Sequence, residues 1–312
     1  MNHVVQFDPA SRAFSDPPRV IAPSRASMSA SIFAERARRF RQLAEGHALG
    51  GWLRFLGRLA QAQHQALGRL ESLPLPDEAA LARARSHHMP PLPARQWPRH
   101  PAWRGVLAQL TEALQSDAPE PARAACRRLA EAAPETLEAF ADQVLANELD
   151  GSEAPLLPYV AAALQVYWTA MAADLGTAAL PVLDVPGVCP CCGSLPVASV
   201  VRATAEVDRL RYLHCSLCGT EWHLVRVKCA ACDANARIAY RRIEGSRLTN
   251  AGAMRAETCD DCMSYLKILY RHDAPDGDPV ADDLATLALD LLLDEAGYAR
   301  AGPNLLFVPG AT

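Results

Sequence analysis

Four C-x-x-C pairs stand close together in the second half of this chain: Cys189/Cys192, Cys215/Cys218, Cys229/Cys232 and Cys259/Cys262. Two residues between paired cysteines let both sulfurs face one ion from a tight turn. Backbone N–H groups of that turn can donate to the thiolates and offset their charge. Two such knuckles complete a tetrahedral sulfur site, which suits zinc or a single iron. Nine of the ten cysteines fall between residues 189 and 262. Secreted disulfide frameworks scatter their cysteines, whereas paired knuckles in a chain of 312 residues read as metal ligands. Two metal sites in tandem are expected.

Which knuckle joins which follows from the intervening sequence. The 22 residues between Cys192 and Cys215 contain LPVASVVR and RLRYLHC, a strand that leaves and a strand that returns. The 26 residues between Cys232 and Cys259 read the same way, with ARIAYRRIE, a turn around Gly245-Ser246 and a return. The 10 residues between Cys218 and Cys229 read instead as one extended run, EWHLVRVK, which carries the third knuckle away from the second. The first pair therefore joins the second, and the third joins the fourth. The arrangement is an internal repeat, with GTEWHLVRV and MSYLKILYR as matching strands. Gly193 and Gly219 follow two knuckles, while Asp233 and Met263 stand at the matching places in the second module, where a different turn geometry is expected.

Cys191 sits inside the first knuckle as an extra thiol, either a bystander at a variable position or a reactive thiolate. Cys126 lies in a helical context and is expected to be buried packing. His214 and His223 flank the second knuckle, but all eight ligand positions are already filled by cysteine. His87-His88 falls in a proline-rich connector and reads as solvated. Trp222 and Tyr265 are expected to shield the clusters.

Before the cysteines the pattern is helical. One helix is expected from Ser29 to about Gly46 and a second from Trp52 to Leu70, followed by a proline-dense connector with one short helix in it. Helices resume near Trp103. Leu137, Phe140, Ala141, Val144 and Leu145 form a core-facing stripe, with Pro134 in its first turn. Residues 156–175 are apolar nearly all round and belong at the centre of the bundle. After the cysteines, Asp278-Pro279 opens a last helix with Leu284, Leu287, Ala288, Leu291 and Leu292 on one face. The expected class is α+β. A flexible arm over 1–28 leads into an all-helical domain over 29–178. Two small β metal modules follow, 185–228 and 229–272, and a closing helix and tail occupy 278–312. The helical domain is expected to be the more independent folding unit, and the cysteine modules to depend on metal.

Charge bears on partners. The net charge is −4 with no polybasic tail. Residues 185–272 hold 12 Lys/Arg and 8 Asp/Glu, a surplus of four that two four-thiolate divalent sites would cancel. Phosphate binding draws on uncompensated positive charge, so nucleic acid is not expected, a local patch around Arg237, Arg241, Arg242 and Arg247 notwithstanding. The first 28 residues lack the apolar core of a signal peptide, and Arg38-Arg39-Phe40 is followed by no apolar run. A reduced, cytoplasmic protein without membrane insertion is expected.

FAERARRFRQLAEGHALGGWLRFLGRLAQAQ, the CPCCG opening, the three further C-x-x-C pairs and the closing NLLFVPG together resemble the FdhE formate dehydrogenase accessory proteins, from about Ser29 to Gly310. The resemblance implies a cytoplasmic assembly factor with two rubredoxin-like modules, which tilts the metal toward iron. It also implies binding to the catalytic subunit of formate dehydrogenase and help with its maturation before export, without turnover of a substrate. A homodimer is compatible with it. The residues themselves offer no nucleophile–base pair, phosphate-binding loop or open three-ligand metal site. An electron-transfer iron protein and a zinc-ribbon nucleic-acid binder are the alternatives.

Overall fold

The computed structural model describes residues 18–23, 31–116, 118–202, 210–243 and 253–308. Most of the expected arm and the turn around Gly245-Ser246 lie outside the described residues. Ser31 caps the first helix, α1 (Ile32–Leu43), by accepting from Ala34 N–H, a contact worth about 1 kcal/mol. The chain turns at Gly46, with φ +68°, and returns as α2 (Gly50–Arg69). Within the proline-dense connector only α3 (Glu78–Ser86) forms, capped by Asp77. Then come α4 (Ala102–Leu114), α5 (Glu120–Glu131) with Cys126 buried in it, and α6 (Pro134–Ala146), which starts on the expected proline.

Helix α7 (Leu157–Leu175) is buried over nearly its whole length, as an all-round apolar helix must be. Its length and composition would suffice to cross a membrane, yet 89% of that apolar window is inside the protein. It is a core helix. Two polar residues on it, Gln165 and Thr169, are also buried, and both turn toward the cysteine-bearing half.

In that half the strands of the two cysteine modules join in one sheet. Its strands are β1 (Val20–Ile21), β2 (Pro196–Arg202), β3 (Leu210–Cys215), β4 (Glu221–His223), β5 (Ile238–Arg241), β6 (Met254–Cys259), β7 (Ser264–Tyr270) and β8 (Ala299–Arg300). The order is β1-β4-β3-β2-β7-β6-β5, with β8 also on β7. The modules meet where β2 pairs parallel with β7, Ser199 opposite Ile268 and Val201 opposite Tyr270. Both strands are apolar runs buried on both faces, as central strands of such a pairing require. The run after the second knuckle is extended only as far as His223; it turns at Arg226-Val227, where Val227 has φ +62°.

The core does not divide at the sheet. Phe33, Trp103 and Trp168 of the helices share one buried apolar cluster with Cys189, Leu213, Cys218 and Trp222. The closing segment is broken into α8 (Pro279–Leu284) and α9 (Leu287–Glu295). At the break Lys267 Nζ donates to the carbonyls of Asp283 (2.8 Å) and Thr286 (3.1 Å), which also accept from the N–H groups of Thr286 and Leu289. The phase shifts accordingly. Leu289 and Leu293 point inward, while Leu291 and Leu292, expected on the buried stripe, are exposed. Helix α8 is tied to α1 by two buried ion pairs, Arg36 with Asp278 and Arg39 with Asp282.

Candidate metal centres

The structure brings together the sulfurs of Cys189, Cys192, Cys215 and Cys218, and separately those of Cys229, Cys232, Cys259 and Cys262. Within each set all four Sγ atoms lie within 4.8 Å of one another. The first knuckle has joined the second, and the third the fourth, because each hairpin returns its second pair beside its first. Sulfur pairs stand at 3.6 Å (Cys189/Cys218) and 3.4 Å (Cys192/Cys215) in the first cluster, and at 3.7 Å (Cys229/Cys262 and Cys232/Cys259) in the second. A tetrahedron with ion–sulfur bonds of about 2.3 Å has edges of roughly 3.8 Å, so both donor sets fit zinc or iron. Turn amides already face the sulfurs: Leu217 and Cys218 N–H point at Cys215 Sγ, and Ala231 N–H at Cys229 Sγ, each at 3.4 Å.

The knuckle backbones repeat closely. Gly193 N–H donates to Cys189 O (2.8 Å) and Cys189 N–H to Ser194 O (3.0 Å); Asp233 N–H donates to Cys229 O (3.1 Å) and Cys229 N–H to Ala234 O (2.8 Å). The residue after each knuckle is left-handed in all four cases, with φ of +76° at Gly193, +72° at Gly219, +63° at Asp233 and +53° at Met263. The sequence suggested a different turn for Asp233 and Met263; the turn is in fact retained.

Surroundings separate the two clusters. A Cβ at Gly193 would lie 3.2 Å from Pro90 Cγ, and one at Gly219 only 2.8 Å from Ile32 Cδ1. The first cluster is pressed against the helical region: a side chain at Gly193 would crowd Pro90, and one at Gly219 would make the tip of Ile32 shift. Its carbonyls are also held from that side. Leu92 and Ala94 N–H donate to Cys191 and Cys192 O (3.0 and 2.9 Å), Gln165 Nε2 to Ser216 O (2.8 Å), and Thr169 Oγ1 to Cys218 O (3.2 Å). At the second cluster Asp233 reaches out to Lys228 Nζ at 2.6 Å, and Met263 is 43% exposed. Its supporting bonds come from the C-terminal segment, Tyr298 Oη to Asp260 and Ala299 N–H to Met263 O. All four sulfur residues of the first cluster are buried; Cys232 and Cys262 of the second are exposed.

Burial, with hydrogen bonds among the thiols, pushes Cys189 and Cys215 well above the ordinary thiol range. Several thiolates can share that apolar place only around a cation, which reverses the balance. At the second cluster, desolvation of Cys262 is outweighed by hydrogen bonds from Ser264 and neighbouring thiols, bringing it down to about 7. Beside the first cluster burial works against the charge of Glu221, yet hydrogen bonds from His214 and Arg202 bring it down to about 2.

Among the other residues singled out, Cys191 is buried beside the first cluster, outside the four-sulfur set. His214 turns Nδ1 to Glu221 at 3.1 Å, and His223 stacks edge-on against Tyr212. His87 and His88 are exposed, with His88 Nδ1 3.0 Å from Val182 O. Trp222 is buried in the same apolar cluster as Cys189 and donates to Pro186 O. Tyr265 instead packs on Leu289 and Leu293 and donates to Asp290. Gln165 and Thr169 went unnoticed in the sequence, although polar residues in the middle of a largely apolar helix were a visible signal.

Three family models match successive stretches of the chain. Residues 18–184 match the N-terminal domain of FdhE, 188–226 its central domain and 227–307 its C-terminal domain. Among similar proteins are the FdhE homologue of Pseudomonas aeruginosa, 39% identical over 94% of both chains, and that of Edwardsiella ictaluri, 39% identical over 98% of this chain and 97% of the relative. Protein FdhE of Escherichia coli is 37% identical over 90% of this chain and 89% of its own. The crystal structure of the FdhE protein from Pseudomonas aeruginosa superposes with a TM-score of 0.84 at 38% identity, covering 94% of this chain and all of that one. With three successive domain matches and near full-length relatives at this identity, the chain belongs to the FdhE family.

Proposed function

We propose that this protein is a non-catalytic, cytoplasmic formate dehydrogenase accessory protein that binds the catalytic subunit of the enzyme and assists its maturation before export. Cys189, Cys192, Cys215 and Cys218 hold one ion, and Cys229, Cys232, Cys259 and Cys262 a second, each iron or zinc. The observation that carries the reading is the pair of four-sulfur clusters in a member of this family. With cysteine at all four corners, an ion has no vacant position for a substrate. Each bound ion supplies a cross-link between the two knuckles of its hairpin; the chain's own residues bind and orient.

A redox role is the second reading, favoured by the exposure of Cys232 and Cys262, through which an iron ion could exchange electrons with a docked partner. Nucleic acid is disfavoured: Arg237 pairs with Asp261, and Arg241 donates to Tyr298. A clean deletion under anaerobic growth tests the main reading. Formate dehydrogenase activity should fall while the enzyme polypeptide is still made, and the tagged chain should capture the catalytic subunit. Undiminished activity would refute it.

A further inference from the structure

We propose that the second cluster is an exchange site, which takes up and surrenders its ion while the chain stays folded, whereas the first keeps its ion until the chain opens. This rests on reading both clusters as metal sites.

Ligand exchange at a filled tetrahedral ion begins when an incoming donor reaches the metal. At the second cluster the way is open, since Cys232 and Cys262 are exposed and the flanking Asp233 and Met263 are exposed too. At the first, all four sulfur-bearing residues are buried, and Pro90 and Ile32 close on the two knuckle glycines. The carbonyls of Cys191, Cys192, Ser216 and Cys218 are engaged from the connector and α7. Uncovering those sulfurs means parting the sheet from the helices through the shared core, an opening far costlier than local breathing at a surface.

The incoming ligand is a small thiol or a polydentate nitrogen–oxygen chelator. An incoming donor would replace Cys232 or Cys262 at an ion held there, and the proton it gives up would pass through water to the freed thiolate. No electrons change hands. The second ion can thus be replaced after folding, and its identity follows the metals available, while the first is fixed when the chain folds.

The test uses the full chain, zinc-loaded, challenged under reducing conditions with excess 4-(2-pyridylazo)resorcinol, with N-ethylmaleimide pulses read by mass spectrometry. Zinc content is measured beforehand on fully denatured protein. Two phases of one equivalent each are expected, more than about tenfold apart in rate. The fast phase should expose Cys232 and Cys262 to alkylation while Cys189, Cys192, Cys215 and Cys218 stay protected. Two ions leaving at one rate, or the first cluster labelled first, would overturn the exchange site and leave the metal reading intact. A chain holding no ion would overturn both.

Discussion

The two cysteine clusters share a backbone and differ in what lies against it. All four knuckles end in a left-handed residue, yet glycine occupies that position only where the helices press on it. A left-handed conformation costs a residue with a side chain about 1–2 kcal/mol, and the second module bears that cost twice. Glycine here is therefore less a demand of the turn than a record of contact: Pro90 and Ile32 crowd the first cluster, while at the second Asp233 and Met263 are exposed, Asp233 reaching Lys228. One cluster is a joint between helices and sheet. The other is a rim.

The largest test of that contrast removes each cluster in turn. Structural zinc in small domains contributes on the order of 10 kcal/mol, comparable to the whole stability of a typical domain. Cys189→Ser with Cys192→Ser should therefore cost most of the cooperative unfolding transition, helical signal included, because Cys189 and Cys192 lie in the same core as Trp103 and Trp168. Cys229→Ser with Cys232→Ser should keep the helical circular dichroism and one ion per chain. Equal losses from the two double variants would erase the distinction.

A finer test exchanges the knuckle residues. Gly219→Ala places a Cβ 2.8 Å from Ile32 Cδ1 at φ +72°, and should lower stability by about 1–2 kcal/mol, chiefly from backbone strain because the tip of Ile32 can shift. Met263→Gly, at φ +53° and exposed, should change it by less than about 1 kcal/mol. Urea midpoints of the two variants measure the difference, and a Gly219→Ala chain as stable as its parent would remove the packed joint. The smallest expected effect is at α7. Thr169→Val keeps the shape and deprives Cys218 O of its donor, for a loss of about 1 kcal/mol. It should also speed ion release from the first cluster without touching the second.

Much of this was legible in the sequence, for local reasons. Strand-length segments of β-branched and aromatic residues between the cysteines set the pairing of knuckles, and the all-round apolar stretch fixed α7 at the centre. Pro134 began its helix where a missing N–H costs nothing. What escaped depends on distant partners. Nothing local to PVASVVR or SYLKILY says that they lie side by side and fuse two modules into one sheet. The periodicity of 284–292 implied one helix, but the segment breaks between α8 and α9, where Lys267 of β7 reaches the carbonyls of Asp283 and Thr286. Nothing local to Arg39 says that Asp282, far along the chain, lies against it. Asp233 and Met263 stood out as departures, yet their meaning lay in their exposure, which spacing cannot express.

Metal analysis joined to X-ray absorption spectroscopy of the purified chain bears most directly on the two four-thiolate sites. Two ions per chain are expected, each surrounded by four sulfurs at about 2.3 Å with no nitrogen or oxygen donor. One ion per chain, or a shell containing histidine nitrogen, would contradict them.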